Sequence, residues 1–142
     1  MSGRRRFGAL LVALAGLLCV ACIPSKPLRL GFIGGLSGPV ADLGESGRDG
    51  ALLAVEEINA AGGVLGRPLD PVILDPAGSD DGFATLATEL LVRHRANVIF
   101  GACLSTSRKA VLPVVERFNG VLFYPSVYEG FEYSPNVIYG GA

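Results

Sequence analysis

VIFGACLSTSRKAVLPVVERFNGVLFYPSVYEGFEYSPNVIYGG, Val98 to Gly141, decides the fold. It opens on a short apolar run that reads as a strand, Asn97–Gly101, and the polar cluster Leu104–Ser107 then caps a helix. That helix spans Arg108 to Phe118 and carries Val111, Val114, Val115 and Phe118 on one face. Pro113 lies inside it and should bend it or confine its regular part, but the apolar stripe continues across the proline. A second strand follows at Val121–Tyr124, and Val137–Tyr139 makes a last one.

Upstream the same alternation repeats. Leu28–Ile33 is an apolar strand, followed by the glycine-rich turn Gly34–Pro39. That turn lacks the G-x-G-x-x-G spacing and the Lys-Ser/Thr ending of a phosphate loop. A helix is expected over Gly47–Ala61, with Ala51, Leu52, Val55 and Ile58 inward, stopped by Gly62-Gly63. Leu69–Leu74 is a strand, and Asp75 to Asp81 turns and caps a helix over Gly82–Arg93 with Phe83, Leu86, Ala87, Leu90 and Leu91 on one side. His94 reads as a solvated cation at the end of that helix, since no acid or thiol stands at metal-ligand spacing from it.

Strands alternating with helices through short connections predict an α/β fold: a doubly wound parallel sheet with helices on both faces and right-handed crossovers. Ligands of such sheets sit outside the carboxyl ends of the strands. Three turns fall there: Gly34–Gly38, Ala102–Ser107 and Pro125–Glu129. In the second, Ser105, Thr106 and Ser107 stand at a helix start, where free N–H groups favour a carbonyl oxygen or a carboxylate; at least one of the three is an ordinary N-cap. Beside them, Tyr124 and Ser126 are expected to face the same crevice, and Tyr128 could close it. The densest part, Phe123–Pro135, offers aromatic area with hydroxyl handles, as a small-molecule pocket does, or is a surface loop held by its own aromatics. Glu129 and Glu132 read as salt-bridge or tether residues.

The first residues, MSGRRRFGALLVALAGLLCVAC, join a basic head to an apolar run too short for a comfortable membrane span, so 1–21 reads as an export signal. The ending Cys19-Val20-Ala21-Cys22 resembles a bacterial lipoprotein cleavage box that would leave Cys22 lipidated, although Cys19 stands where leucine is usual; the other reading is a plain secretory signal with an incidental Cys22. Residues 22–27 form a tether. Losing Arg4–Arg6 takes twelve Lys and Arg to nine against thirteen acids, a formal charge of −4. The scattered cations make no nucleic-acid footprint. Cys103 is then the sole mature thiol apart from Cys22, so no internal disulfide is expected. Enzyme chemistry would need Ser105 or Cys103 beside a base, and His94 falls at the far end of a helix, so no catalytic residue, metal or cofactor is assigned.

AVEEINAAGGVLGRP, Ala54 to Pro68, resembles the first helix and turn of the type 1 periplasmic solute-binding proteins, the leucine/isoleucine/valine-binding group. Ser107 to Gly141 is similar to the branch holding the urea and short-chain-amide transporter binding proteins and a cytoplasmic amide-sensing regulator. The resemblance covers Leu28 to Ala142. It implies a two-lobed clamshell whose N-terminal lobe supplies Ser105, Tyr124 and Ser126 to the ligand, with Tyr128, Thr106 and Cys103 as further candidates. Cys103 departs from the aromatic common in the branch, which would widen the pocket, and the hydroxyl of Ser126 leans toward an amide. Relatives continue far beyond Ala142, so 28–142 is expected to be the N-terminal lobe alone, a truncated piece or one part of a split protein. The implied role is the binding component of an ATP-binding-cassette transporter, with a small polar ligand (amide, urea or amino acid), a permease and, through its lipid, a membrane as partners. The amide sensor is the alternative, and the export signal separates the two; a secreted hydrolase is the third reading.

Overall fold

The computed structural model describes residues 26–96, 98–126 and 130–141. Five strands form one parallel sheet in the order β2-β1-β3-β4-β5, where β1 is Leu28–Ile33, β2 Leu69–Leu74, β3 Val98–Gly101, β4 Val121–Tyr124 and β5 Val137–Tyr139. Three helices connect the first four: α1 (Ala41–Ala60), α2 (Asp80–Val92) and α3 (Ser105–Phe118). A short 3-10 turn, Gly38–Val40, leads into α1. The strands match the sequence reading, except that Asn97 lies outside the described residues. So do residues 1–25, with the expected export signal and Cys22, and so does Tyr128.

Strand order dictates which face each helix covers. The chain moves from β1 to β2 in one direction and returns past β1 to β3, so right-handed crossovers place α1 on one face and α2 and α3 on the other. Alternation of side chains along the strands agrees. Gly31 and Ile33 point toward α2, where a Cβ on Gly31 would lie 2.6 Å from Leu90, and Phe32 points toward α1. The buried core therefore fills the α2–α3 side: Ile33, Ile99 and Leu122 from the sheet, Phe83, Ala87 and Leu90 from α2, Val111 and Val115 from α3. The stripe predicted for α2 is this core's centre. Ser79 caps that helix by accepting a hydrogen bond from the Gly82 N–H at 3.2 Å.

All three helices differ from expectation at their ends; α2 starts two residues early, at Asp80, and ends one early, at Val92, and the other two differ more. The first helix starts at Ala41, six residues before Gly47, through the polar, glycine-containing run ADLGESG. What holds that run is a backbone approach described below, which leaves no apolar stripe for sequence reading to find. Ile58, expected inside, is 38% exposed, and Val55 is the buried anchor of α1. At its far end Gly62 and Gly63 take positive φ and stop the helix as anticipated. The Asn59 side chain then fixes where β2 begins, donating to the Leu69 carbonyl at 2.9 Å and accepting from the Leu69 N–H at 2.7 Å. The third helix begins at Ser105, three residues early, and runs through Pro113 to Phe118.

Candidate functional site

A sheet whose order reverses opens a crevice where the chain leaves neighbouring strands to opposite faces. Here the reversal falls between β1 and β3, and two of the three turns named from the sequence diverge from it. The two strand ends are drawn tightly together: the Ala102 N–H donates to the Ile33 carbonyl at 3.0 Å. Only glycine fits between them, since Gly101 has φ of +123° and a Cβ there would lie 1.9 Å from the Ile33 carbonyl oxygen.

On the β1 side, Gly34–Ser37 is held by Asp75 at the end of β2. Its Oδ1 accepts from the Leu36 N–H at 3.1 Å and the Ala77 N–H at 2.9 Å. The Ser37 side chain also bonds it, and these bonds keep the Asp75 carboxyl below its ordinary pKa. A carboxyl with a depressed folded value stabilises above its unfolded pKa, about 3.9, and that contribution is lost as pH falls through the folded value. Asp75→Asn is therefore expected to loosen the glycine turn at neutral pH. The measurement is amide exchange of Leu36 as a function of pH: wild-type protection should fall off below about pH 4, whereas the variant should show low, pH-flat protection.

On the β3 side, three polar residues divide their work. Ser107 is buried and serves the helix start, its hydroxyl accepting from the Leu104 N–H at 3.1 Å and donating to the Leu104 carbonyl at 2.7 Å. The N-cap itself is Leu104, so none of the trio takes the N-cap position expected for one of them; Ser107, third in the helix, reaches back to it. Ser105 is half-buried and Thr106 exposed at the first turn of α3. Cys103, half-buried before them, hydrogen-bonds with the Ser126 side chain. Burial pushes its thiol above the ordinary value, with Ser126 pulling the other way. The Cys103–Ser126 contact brings the third turn to the second. Beyond Ser126, Tyr128 and Glu129 lie outside the described residues.

Between these walls lies a cavity of about 150 Å³, bordered by Gly35, Gly44, Asp80, Cys103, Thr106 and Ser107. From the sequence Gly44 was assigned to no element and Asp80 only to the turn before the second helix. Asp75 could have been found, because it too stands at a strand's carboxyl end.

Tyr124 is where the structure departs from the expected placement. Its ring is 1% exposed and turned into the core, the same face as Leu122 by strand alternation. The Arg108 guanidinium lies over it at 4.8 Å and Tyr139 meets it edge-on at 6.4 Å. In this conformation Tyr124 backs the crevice rather than opening into it. Arg108, fully buried on α3, escaped sequence reading altogether. It donates from Nε to the Glu132 carboxylate at 2.9 Å, and the Tyr139 hydroxyl donates to the same oxygen at 3.2 Å. Burial disfavours the charged guanidinium, but Glu132 and Tyr124 more than offset that, so the Arg108 pKa is raised. Glu132 is thus the tether residue its position suggested. The rest of the β4–β5 connection is pinned by Ser134 to Glu116 at 2.8 Å and by Asn136 to the Gly120 carbonyl at 2.7 Å. His94 lies 3.6 Å from Glu89, in the connection between α2 and β3 at the opposite end of the sheet from this crevice.

A parallel five-stranded sheet with flanking helices and a crevice at its switch point defines a doubly wound α/β lobe. The chain belongs to the periplasmic binding protein family: the family's model, described as a periplasmic binding protein domain, matches residues 28–142. It is 32% identical over 122 residues to the leucine-, isoleucine-, valine-, threonine- and alanine-binding protein of Pseudomonas aeruginosa, covering 86% of this chain and 32% of that protein. The Leu/Ile/Val-binding protein of Escherichia coli K12 is 30% identical, with 72% of this chain and 28% of that one covered. Among solved structures, the branched-chain amino acid transporter substrate-binding protein LivJ of Streptococcus pneumoniae, in complex with isoleucine, superposes with a TM-score of 0.71 at 29% identity, covering 74% of this chain and 30% of that one. The chain therefore spans about a third of the length of these relatives.

Proposed function

We propose that this chain is the N-terminal lobe of the solute-binding component of an ATP-binding-cassette transporter, and that it takes a short amide, urea or a related small polar solute. Thr106 and Cys103, which border the cavity, and Ser105 and Ser126, which adjoin them outside its lining, are its ligand-facing residues, with Tyr124 bracing the crevice from behind and Tyr128 a further contact. It does no chemistry; closure against a second lobe presents the solute to a permease. The protein is exported and held to a membrane by lipid at Cys22.

The observation that carries the ligand class is size. A cavity of about 150 Å³ at the switch point, the volume of one that encloses a benzene, gives this lobe alone room for a solute of a few heavy atoms. Hydroxyl and backbone N–H groups at the start of α3 suit a carbonyl oxygen. The names of the relatives favour an aliphatic amino acid, so the two classes are tested together.

A solute of four heavy atoms has a ceiling of about −6 kcal/mol, and one lobe reaches only part of it, so acetamide or urea should bind with a millimolar dissociation constant. Calorimetric titration of the chain with acetamide, urea and leucine measures this. Ser105→Ala and Ser126→Ala should each weaken the tighter of the first two by about threefold or more. Leucine binding more tightly than both, or unchanged affinity in both variants, would replace this reading.

A further inference from the structure

We propose that the amino-terminal end of the sheet is a membrane-docking surface, which sets the exposed Leu65 turn and a basic rim against a bilayer of anionic phospholipid. The observation that points there is a leucine badly placed for folding. Leu65 is 96% exposed and has φ of +52°, a left-handed conformation that glycine and asparagine adopt readily and leucine does not. Neither burial nor backbone preference accounts for a leucine there. A strained, fully exposed apolar side chain points to a contact outside the chain.

The turn that presents it is rigid. Val64 and Arg67 exchange both backbone hydrogen bonds across it, at 2.8 and 3.0 Å, and a Cβ on Gly63 would lie 2.1 Å from the Arg67 carbonyl oxygen. Gly66 follows Leu65 with φ of +74°, so the pair forms the tip of a tight hairpin. Val64, itself 40% exposed, adds to the apolar tip.

Cations surround that tip. Val64 and Arg67, on either side of it, line a concavity at the amino ends of β1, β2 and β3 together with Lys26, Arg29, Arg93 and Arg95. Five of the nine Lys and Arg among the described residues are therefore at this one end. Asp70 lies 3.4 Å from Arg29 and Glu89 3.5 Å from Arg93, so five cations less two acids leave a local surplus of three in a chain whose formal net charge is −1. Glu56 and Glu57, near the end of α1, are outside the lining of that concavity. A basic rim with an aliphatic tip at its edge suits anionic headgroups: the cations are drawn to the negative surface potential and the leucine enters the headgroup boundary. A nucleic acid would answer the charge and leave the leucine unexplained.

The path of the chain brings this surface to a bilayer. Arg67 donates to the Lys26 carbonyl at 2.7 Å and to the Pro27 carbonyl at 3.3 Å, which straps the start of the described chain to the base of the Leu65 turn. Cys22, on whose proposed lipid this docking relies for proximity, lies four residues before Lys26, at most about 14 Å along the chain. With the amino ends of the strands against the bilayer, the crevice at their carboxyl ends faces the aqueous phase.

The chain contains no tryptophan, so Leu65→Trp installs a single reporter at the tip, and Phe131→Trp, at a position 100% exposed on the β4–β5 connection, serves as the control. Each full-length chain is reconstituted in vesicles of phosphatidylcholine, alone or mixed with phosphatidylglycerol, with brominated acyl chains as quencher. On the mixed vesicles Leu65→Trp emission should shift to the blue and be quenched several-fold more than that of Phe131→Trp, and raised salt should reverse both effects. Adding Lys26→Gln or Arg95→Gln to the reporter should lower its docked-to-free ratio about fivefold for each charge removed. Leu65→Asn, which relieves the turn, should raise Tm by roughly 4 °C. A lower Tm would show that Leu65 packs within the lobe and would overturn the proposal. So would equal quenching of the two reporters, equal quenching on the two vesicle compositions, or indifference to the lost charges. Sedimentation separates the anchor from the docking: chains that sediment with vesicles while Leu65→Trp stays unquenched overturn the docking alone, and chains left in the supernatant overturn both.

Discussion

Glu132→Ala is expected to lower the unfolding free energy by about 3 kcal/mol, because it strips the carboxylate from a buried cation. The Arg108 side chain is 0% exposed and that of Glu132 is 20% exposed. Removing the carboxylate also takes the acceptor from the Tyr139 hydroxyl. For a domain of this size the loss is on the order of 10 °C in Tm. The double variant Arg108→Met with Glu132→Leu should recover at least half of it, since replacing a buried pair by apolar side chains is often close to neutral. Urea denaturation of the three proteins measures both. The consequence for the site is mechanical: Arg108 ties α3 to the ring of Tyr124 and to the connection that carries Ser126, so the single variant should also expose residues 125–136 to limited proteolysis. A double variant as unstable as the single one would mean that the charges themselves, and not the void of an unpaired partner, decide stability here.

Gly44→Ala and Gly50→Ala should move stability in opposite directions, although both sit inside α1 and both improve helix propensity by roughly 1 kcal/mol. At Gly50 there is open space, so the propensity gain survives. At Gly44 a Cβ would lie 2.1 Å from the Gly35 carbonyl oxygen, and the obstacle is backbone, which cannot rotate aside. The helix must lift from the glycine turn, at a net loss of about 1–3 kcal/mol. Because Gly35 and Gly44 both border the 150 Å³ cavity, Gly44→Ala should distort the crevice as well. Thermal denaturation gives the signs, and a stabilised Gly44→Ala would show that the α1–turn contact is looser than described.

These two sites also mark what the sequence could and could not convey. The order of elements was legible because each strand is an apolar run and α2 and α3 carry continuous stripes, Phe83-Ala87-Leu90 and Val111-Val115. The first half of α1 was not, because Gly44 against Gly35 is a contact made by the absence of side chains. The crevice was legible as a set of turns, through the rule that parallel sheets bind at strand carboxyl ends. The orientation of Tyr124 was in fact encoded: it lies two residues after Leu122, so alternation turns it to the α3 side, whereas its place beside Pro125 made it look like a loop residue. Arg108 was legible in the same way, three residues before Val111 and seven before Val115 on the inward stripe of α3. A cation on a core stripe calls for a buried acid, and Glu132 supplies it.

The most direct test of the ligand crevice is the amide NMR spectrum of the labelled chain titrated with acetamide and with urea. The proposed site predicts saturable shifts at Cys103, Ser105, Thr106 and Ser126, with smaller ones in the Gly34–Ser37 turn and none at Lys26, Arg67 or Arg95. Shifts confined to that basic end, or no shift at the switch point with either solute or with leucine at saturating concentration, would contradict it.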